Sequence, residues 1–233
     1  MRGRPPIRKK GAMTAAERMR RYRRRLKQTQ PDAKTLAKRE RRAEREAALA
    51  TATIKAAESL GQKLYGVLYV DPPWDFLVRS RATGMDRHAA NHYPVMQLAE
   101  IAALPMPAAP DCVLFLWAPV AQNDNAMRLL DHWEFKYRSM HIWTKPNLGT
   151  GYWGRENAEL LLIATRGTVP APAPGEQSPY AIEAPRGTPS EKPEVFVEMI
   201  ERLYPNVPKL EMFARKPRAG WDVWGNEVAA AAQ

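Results

Sequence analysis

Hydrophobic and polar positions divide the chain into a charged leader and a patterned remainder. From Leu64 onward, short apolar runs alternate with helical spacings. Tyr65–Val70 reads as a strand that stops at Asp71-Pro72-Pro73-Trp74, because two prolines cannot continue a strand ladder. Between residues 92 and 104, Tyr93, Met96, Leu98, Ile101 and Leu104 share one helical face, near Pro94 and Pro105. The pattern continues with a buried strand over Cys112–Trp117, a helix over 123–132, and strands over 137–144 and 159–165. A helix over 193–203 and a strand over 209–214 close it. Residues 168–189 hold six prolines and little hydrophobic pattern, so they read as a long surface loop. Strands alternating with helices predict an α/β fold, a mostly parallel sheet with helices on both faces.

The leader follows different rules. Residues 1–13 carry five basic residues and no hydrophobic period, which predicts disorder. Thr14 is a helix N-cap with Glu17 at the capping-box spacing, so a basic helix is expected to about Lys27. After Pro31-Asp32, a second segment to about Leu60 is rich in helix formers but poor in large apolar residues. A helix there is expected to have no core to join. The organisation expected is an arm over 1–60, a catalytic domain over 61–228 and a short tail over 229–233.

Charge sharpens this division. The 233-residue chain has net charge +11, but residues 1–60 hold 19 Lys+Arg against 6 Asp+Glu, leaving 17 against 19 for the rest. A leader of net +13 attracts polyanions, so nucleic acid is the expected partner and salt should weaken its binding. No apolar run approaches the ~18 residues needed to cross a bilayer. The basic N-terminus is followed by more charge rather than an apolar segment, which predicts a cytoplasmic protein with neither secretory signal nor membrane partner. The single cysteine, Cys112, reads as a buried strand residue. His88, His92 and His141 have no metal-ligand spacing, and no metal is expected.

The candidate chemistry lies at Asp71-Pro72-Pro73-Trp74. In open α/β sheets, ligands bind outside the carboxyl ends of strands, where this string falls. An exocyclic amine on a purine attacks poorly because its lone pair is delocalised into the ring. The Asp71 carboxylate and the Pro72 carbonyl could accept its hydrogen bonds and favour a more tetrahedral nitrogen, while Pro73 adds no competing N–H. Trp74 offers a face on which an extruded base could stack. The plainer alternative is that the prolines turn the chain and Trp74 fills the core. Glu211, inside an apolar strand, is expected to accept hydrogen bonds from something buried. The phosphate-binding string GxGxxG of dinucleotide enzymes is absent.

Seven blocks carry a wider resemblance: VDPPW at 70–74, HYPVMQLAEIAALP at 92–105, VLFLWAP at 113–119, HIWTKPNLGTGYWGRENAELLLIATRG at 141–167, SEKPEVFVEMIERLYP at 190–205, KLEMFARK at 209–216 and GWDVWGNE at 220–227. In order and spacing they resemble the MT-A70 adenine N6-methyltransferases. The resemblance implies a Rossmann-like methyltransferase fold, S-adenosylmethionine as cofactor, and transfer to the N6 amino group of adenine. It implies that Asp71, Pro72, Pro73 and Trp74 form the catalytic corner. Tyr93 would lie near donor and target, with Asp71, Ser190, Lys192, Glu211, Arg215, Asn226 and Glu227 around the cofactor. Lys145, Asn147, Gly151, Tyr152, Trp153, Arg155 and Glu159 would shape the mouth through which the target base arrives. DNA is the expected substrate, with RNA as the alternative; a catalytically silent nucleic-acid-binding subunit is the reading from another class. The assembly expected is a monomer or homodimer.

Overall fold

The computed structural model describes residues 17, 19–21, 32–60, 62–75, 95–149, 153–188 and 190–225. In order these form α1 (Ala33–Leu60), β1 (Tyr65–Val70), α2 (Leu98–Ala102), β2 (Ala108–Pro119), α3 (Asn123–His132), β3 (Lys136–Thr144) and β4 (Ala158–Arg166). They continue with β5 (Ala181–Glu183), α4 (Glu194–Leu203), β6 (Lys209–Met212) and β7 (Asp222–Trp224). The strands make one sheet in the spatial order β5-β3-β4-β2-β1-β6-β7. β1 pairs parallel with β2 and β6, β6 with β7, and β3 with β5, whereas β4 runs antiparallel to both neighbours. Six strands thus point one way, and the first residues of β4 lie at the edge where those six end.

Alternation along the strands gives each sheet face its own core. Leu68, Val70, Leu114, Leu116 and Leu162 meet Ile101 of α2 and Leu129 and Leu130 of α3. On the opposite face, Val67, Tyr69, Phe115, Trp117 and Leu161 meet Phe196 and Ile200 of α4, with Leu49 and Ala50 of α1. Each large apolar side chain buried this way contributes about 1.5–3 kcal/mol. Cys112 is fully buried among them, as its apolar setting predicted. The α/β architecture is the one the alternating pattern predicts.

The second leader segment departs from expectation, because α1 does have a core to join. Its inward stripe includes Arg42, Glu46, Leu49, Ala50 and Thr53, all buried. Glu46 accepts hydrogen bonds from the backbone N–H (2.9 Å) and side-chain amide (3.2 Å) of Asn206, and the Arg42 guanidinium lies 5.0 Å over the Tyr204 ring. An inward face built partly from polar groups leaves no apolar stripe to read. Thr53 approaches β1 so closely that a Cβ on Gly66 would sit 2.7 Å from its Oγ1 and 2.5 Å from Val207 Cγ1.

Smaller departures have local causes. Within 92–104, only Leu98–Ala102 is helical among the described residues, because Met96 is extended and bridges to Trp74. The Pro-rich loop contains the edge strand β5, and β7 adds a further edge. β6 ends at Met212, followed by Phe213 at φ 63°. Glu17, Met19, Arg20 and Arg21 are helical, while Thr14 and most of the leader lie outside the described residues. Among the described residues, no helix is long and apolar enough to cross a membrane.

Candidate active site

The corner after β1 is fixed by its own backbone. The Trp74 N–H donates to the Pro72 carbonyl at 2.8 Å, and the Met96 N–H donates to the Pro73 carbonyl at 2.9 Å. A carbonyl oxygen has two lone pairs, so that of Pro72 retains one acceptor site. Trp74 occupies the position the plainer reading gave it. It is 6% exposed, packs in the core beside α2 and α3, and donates its indole N–H to the Trp117 carbonyl at 2.9 Å. Its ring presents no open face for a base because it fills the space beneath the corner.

Asp71 faces the other side of the sheet. By alternation it follows Tyr69, just as Lys145 follows Trp143 and Glu159 precedes Leu161 on that same face. Lys192, two residues ahead of α4, reaches into this row. Its Nζ donates to Asp71 Oδ2 at 2.7 Å and lies 3.3 Å from Glu159 Oε2. Glu159 Oε1 also accepts from Lys145, whose ammonium lies 4.6 Å over the Trp143 ring. The row therefore alternates in sign from Asp71 through Lys192 and Glu159 to Lys145.

Its electrostatics follow from burial and proximity. Burial pushes the Asp71 carboxyl above its ordinary value, against the opposing pull of Lys192. Burial would also raise Glu159, but Lys192 and Lys145 outweigh it and hold that carboxyl low. Burial disfavours the charged Lys192, yet Asp71 and Glu159 more than compensate and keep it protonated. Two half-buried carboxylates can lie this close because an ammonium is shared between them.

Farther along the sheet edge, Glu211 pairs in register with Tyr69. It accepts a hydrogen bond from Arg218 Nε at 3.0 Å, and Arg218 also pairs with Glu194. Burial raises the Glu211 carboxyl while Arg218 opposes the rise. Its expected hydrogen-bonding partner is thus a guanidinium of the chain itself. Arg218 and Glu194 escaped the sequence reading, since nothing in KPRAG marks one arginine as the partner of a strand carboxylate. The buried Tyr69 hydroxyl lies against the indole N–H of Trp117, and the Lys192 ammonium lies 5.4 Å over the Trp117 ring.

The remaining expected residues divide by position. Ser190 is exposed at φ 63°, a left-handed conformation that costs an L-residue energy, immediately before the segment that delivers Lys192. Arg215 is exposed, and its charge lowers the Asp71 carboxyl's affinity for a proton. Asn147, Trp153 and Arg155 lie on the exposed connection between β3 and β4. Tyr93, Gly151, Tyr152, Asn226 and Glu227 lie outside the described residues.

This donor set suits a zwitterionic, ribose-bearing ligand. Lys192 can meet a carboxylate, and Asp71 and Glu211 can accept from ammonium or hydroxyl groups.

The sequence profile of the family described as MT-A70 matches residues 65–227. The chain is 32% identical over 186 residues to a type II methyltransferase, M.MunI, from Mycoplasma sp, covering 72% of this chain and 80% of that protein. It is 29% identical over 175 residues to an N(6)-adenosine-methyltransferase MT-A70-like protein of Arabidopsis thaliana, covering 70% of this chain and 24% of that one. With the human N(6)-adenosine-methyltransferase catalytic subunit METTL3 the identity is 27% over 175 residues, covering 70% and 28%. The chain thus spans most of the first relative and about a quarter of the other two.

Proposed function

This chain belongs to the MT-A70 family of adenine N6-methyltransferases, and from that premise we propose that it methylates N6 of adenine in DNA with S-adenosylmethionine as donor. The observation that carries the assignment of the site is the Lys192 bridge between Asp71 and Glu159 at the carboxyl edge of the sheet. The cofactor, when bound, supplies an electrophilic methyl group on a sulfonium.

The chain's own residues supply placement and charge. Lys192 is positioned to pair with the carboxylate of the donor's methionine part, and Glu211 to accept from its ribose hydroxyls. Asp71 and the free lone pair on the Pro72 carbonyl hold the target amine by its N–H groups, which turns the nitrogen lone pair away from the acceptors. Lys145 and Glu159 border the space assigned to the entering base, and Ser190, Arg215, Asn147 and Arg155 are assigned to its rim. DNA is favoured over RNA because the chain spans 80% of a type II methyltransferase but 28% of the human adenosine enzyme. Within the leader, the strongly basic residues before α1 are assigned to nucleic-acid contact. α1 itself is grouped with the catalytic unit on which it packs.

The deciding experiment follows labelled methyl transfer to matched DNA and RNA oligonucleotides with the wild type and Asp71→Ala. The proposal expects label at N6 in DNA and a loss of at least about a hundredfold in the variant, as when a group stabilising a transition state is removed. Label confined to RNA would reassign the substrate. An active, folded Asp71→Ala enzyme would reject the corner as the site.

A further inference from the structure

The connection between β3 and β4 leaves the sheet after Thr144 and returns at Ala158, so Lys145 and Glu159 of the charged row stand at its two roots. Its stem is pinned. The Lys145 N–H donates to the Asn157 carbonyl at 2.6 Å, and the Gly149 N–H donates to the Glu156 carbonyl. Arg155 clasps the opposite strand of the stem, donating from Nε to the Gly149 carbonyl at 3.0 Å and reaching the Leu148 carbonyl at 3.5 Å. Beyond this clasp stands Trp153, 104% exposed, with Leu148 on the same connection 54% exposed. A Cβ added at the neighbouring Gly154 would meet nothing within 4 Å. Indoles carry large apolar faces that proteins normally cover.

Trp74 is sealed in the core, so it cannot serve as the stacking surface at this site. Trp153 can. We propose that Trp153 is the nucleobase-stacking residue of this protein, holding a base beside the adenine drawn into the site rather than that adenine itself. Trp153 precedes Ala158, the first residue of β4, by five residues, a reach of at most about 17 Å at the rise of an extended chain. That reach spans a few base steps, the distance from a target to its neighbours. The guanidinium that clasps the stem puts a positive charge on the same exposed connection, two residues along the chain from Trp153, which suits a phosphate-bearing strand better than an apolar protein face. This inference deepens the methylation reading and rests on it.

The test measures binding of a short single-stranded oligonucleotide by fluorescence anisotropy for the wild type, Trp153→Ala and Trp153→Phe. Calorimetry with S-adenosylmethionine accompanies it. A base–aromatic stack should raise the Kd of Trp153→Ala for the oligonucleotide about 5- to 150-fold. Trp153→Phe should recover most of the loss, with donor affinity unchanged within about twofold for both. An oligonucleotide Kd equal to that of the wild type would overturn the proposal, as would a loss matched by lost donor binding. A change in sedimentation without a change in Kd would assign Trp153 to a protein interface and also overturn it. Wild-type protein that binds the oligonucleotide yet transfers no methyl would sink the methylation reading alone. Active Trp153→Ala with native affinity would sink only the stacking role.

Discussion

Glu159→Gln probes the charged row with little change in shape. Glu159 Oε2 lies 3.3 Å from Lys192 Nζ, an attraction of about 5 kcal/mol at an effective dielectric near 20. Asp71 Oδ2 sits 2.7 Å from the same Nζ, so these two carboxylate oxygens are at most about 6 Å apart and repel by at least about 3 kcal/mol at the same dielectric. Lys145 tips the gross balance further toward attraction, and desolvation of several kcal/mol per ion offsets most of it. The amide still accepts a hydrogen bond, so the variant should lose about 1–3 kcal/mol of unfolding free energy, less than the ~3–5 kcal/mol for deleting a buried partner. Urea denaturation at neutral pH should show a lower midpoint at unchanged slope. The carboxyl of Glu159 is held below its ordinary 4.5 in the folded protein, so its contribution is present above that value and disappears as pH falls through the folded one. The gap between wild type and variant should therefore close in acid. Glu159 also helps to hold the Asp71 carboxyl up, so the acid limb of kcat/KM should move to lower pH in the variant. Equal stability at neutral pH, or an acid limb displaced upward, would refute the reasoning.

Trp74→Ala removes a core indole and its hydrogen bond to Trp117, and should cost about 3–5 kcal/mol in calorimetric stability; a loss below about 1 kcal/mol would contradict the buried placement. Gly66→Ala should drive a methyl group into Thr53 and Val207, lowering Tm and loosening α1, which hydrogen exchange along residues 42–53 would report; native protection there would count against that packing. Removing residues 1–31 should leave the thermal transition intact and flatten the salt dependence of nucleic-acid binding. Removal through residue 60 should unfold the protein by stripping Leu49 and Ala50 from the core, and a fully stable product would contradict the docked α1.

The sequence revealed elements whose apolar positions keep one period long enough to count, and hid those specified by contacts elsewhere. The α3 helix and the strand runs before Asp71 and Trp117 are legible because buried positions recur inside the element itself. The direction of β4 is not, because an apolar run reads the same in either sense and its antiparallel course depends on partners. Strands β5 and β7 are three residues each, too short to leave a pattern. In α1 the inward face uses Arg42 and Glu46, whose partners Tyr204 and Asn206 lie about 160 residues away. At the site, Asp71, Lys192 and Glu159 could each be named from the family blocks, whereas the shared ammonium spans 121 residues and exists only once the sheet assembles. Trp74 was misjudged because a tryptophan after a turn has the same letter whether it faces inward or outward.

The reversed course of β4 bears on how such proteins can diversify. A strand that returned in parallel would need a crossover long enough to span the sheet, committed to packing on one face. The antiparallel return frees its link from that duty, and each doubling of such a link in length costs only about 0.6 kcal/mol in closure entropy. Insertions between residues 145 and 159 could thus alter which strand contexts are accepted while leaving the supporting layers untouched.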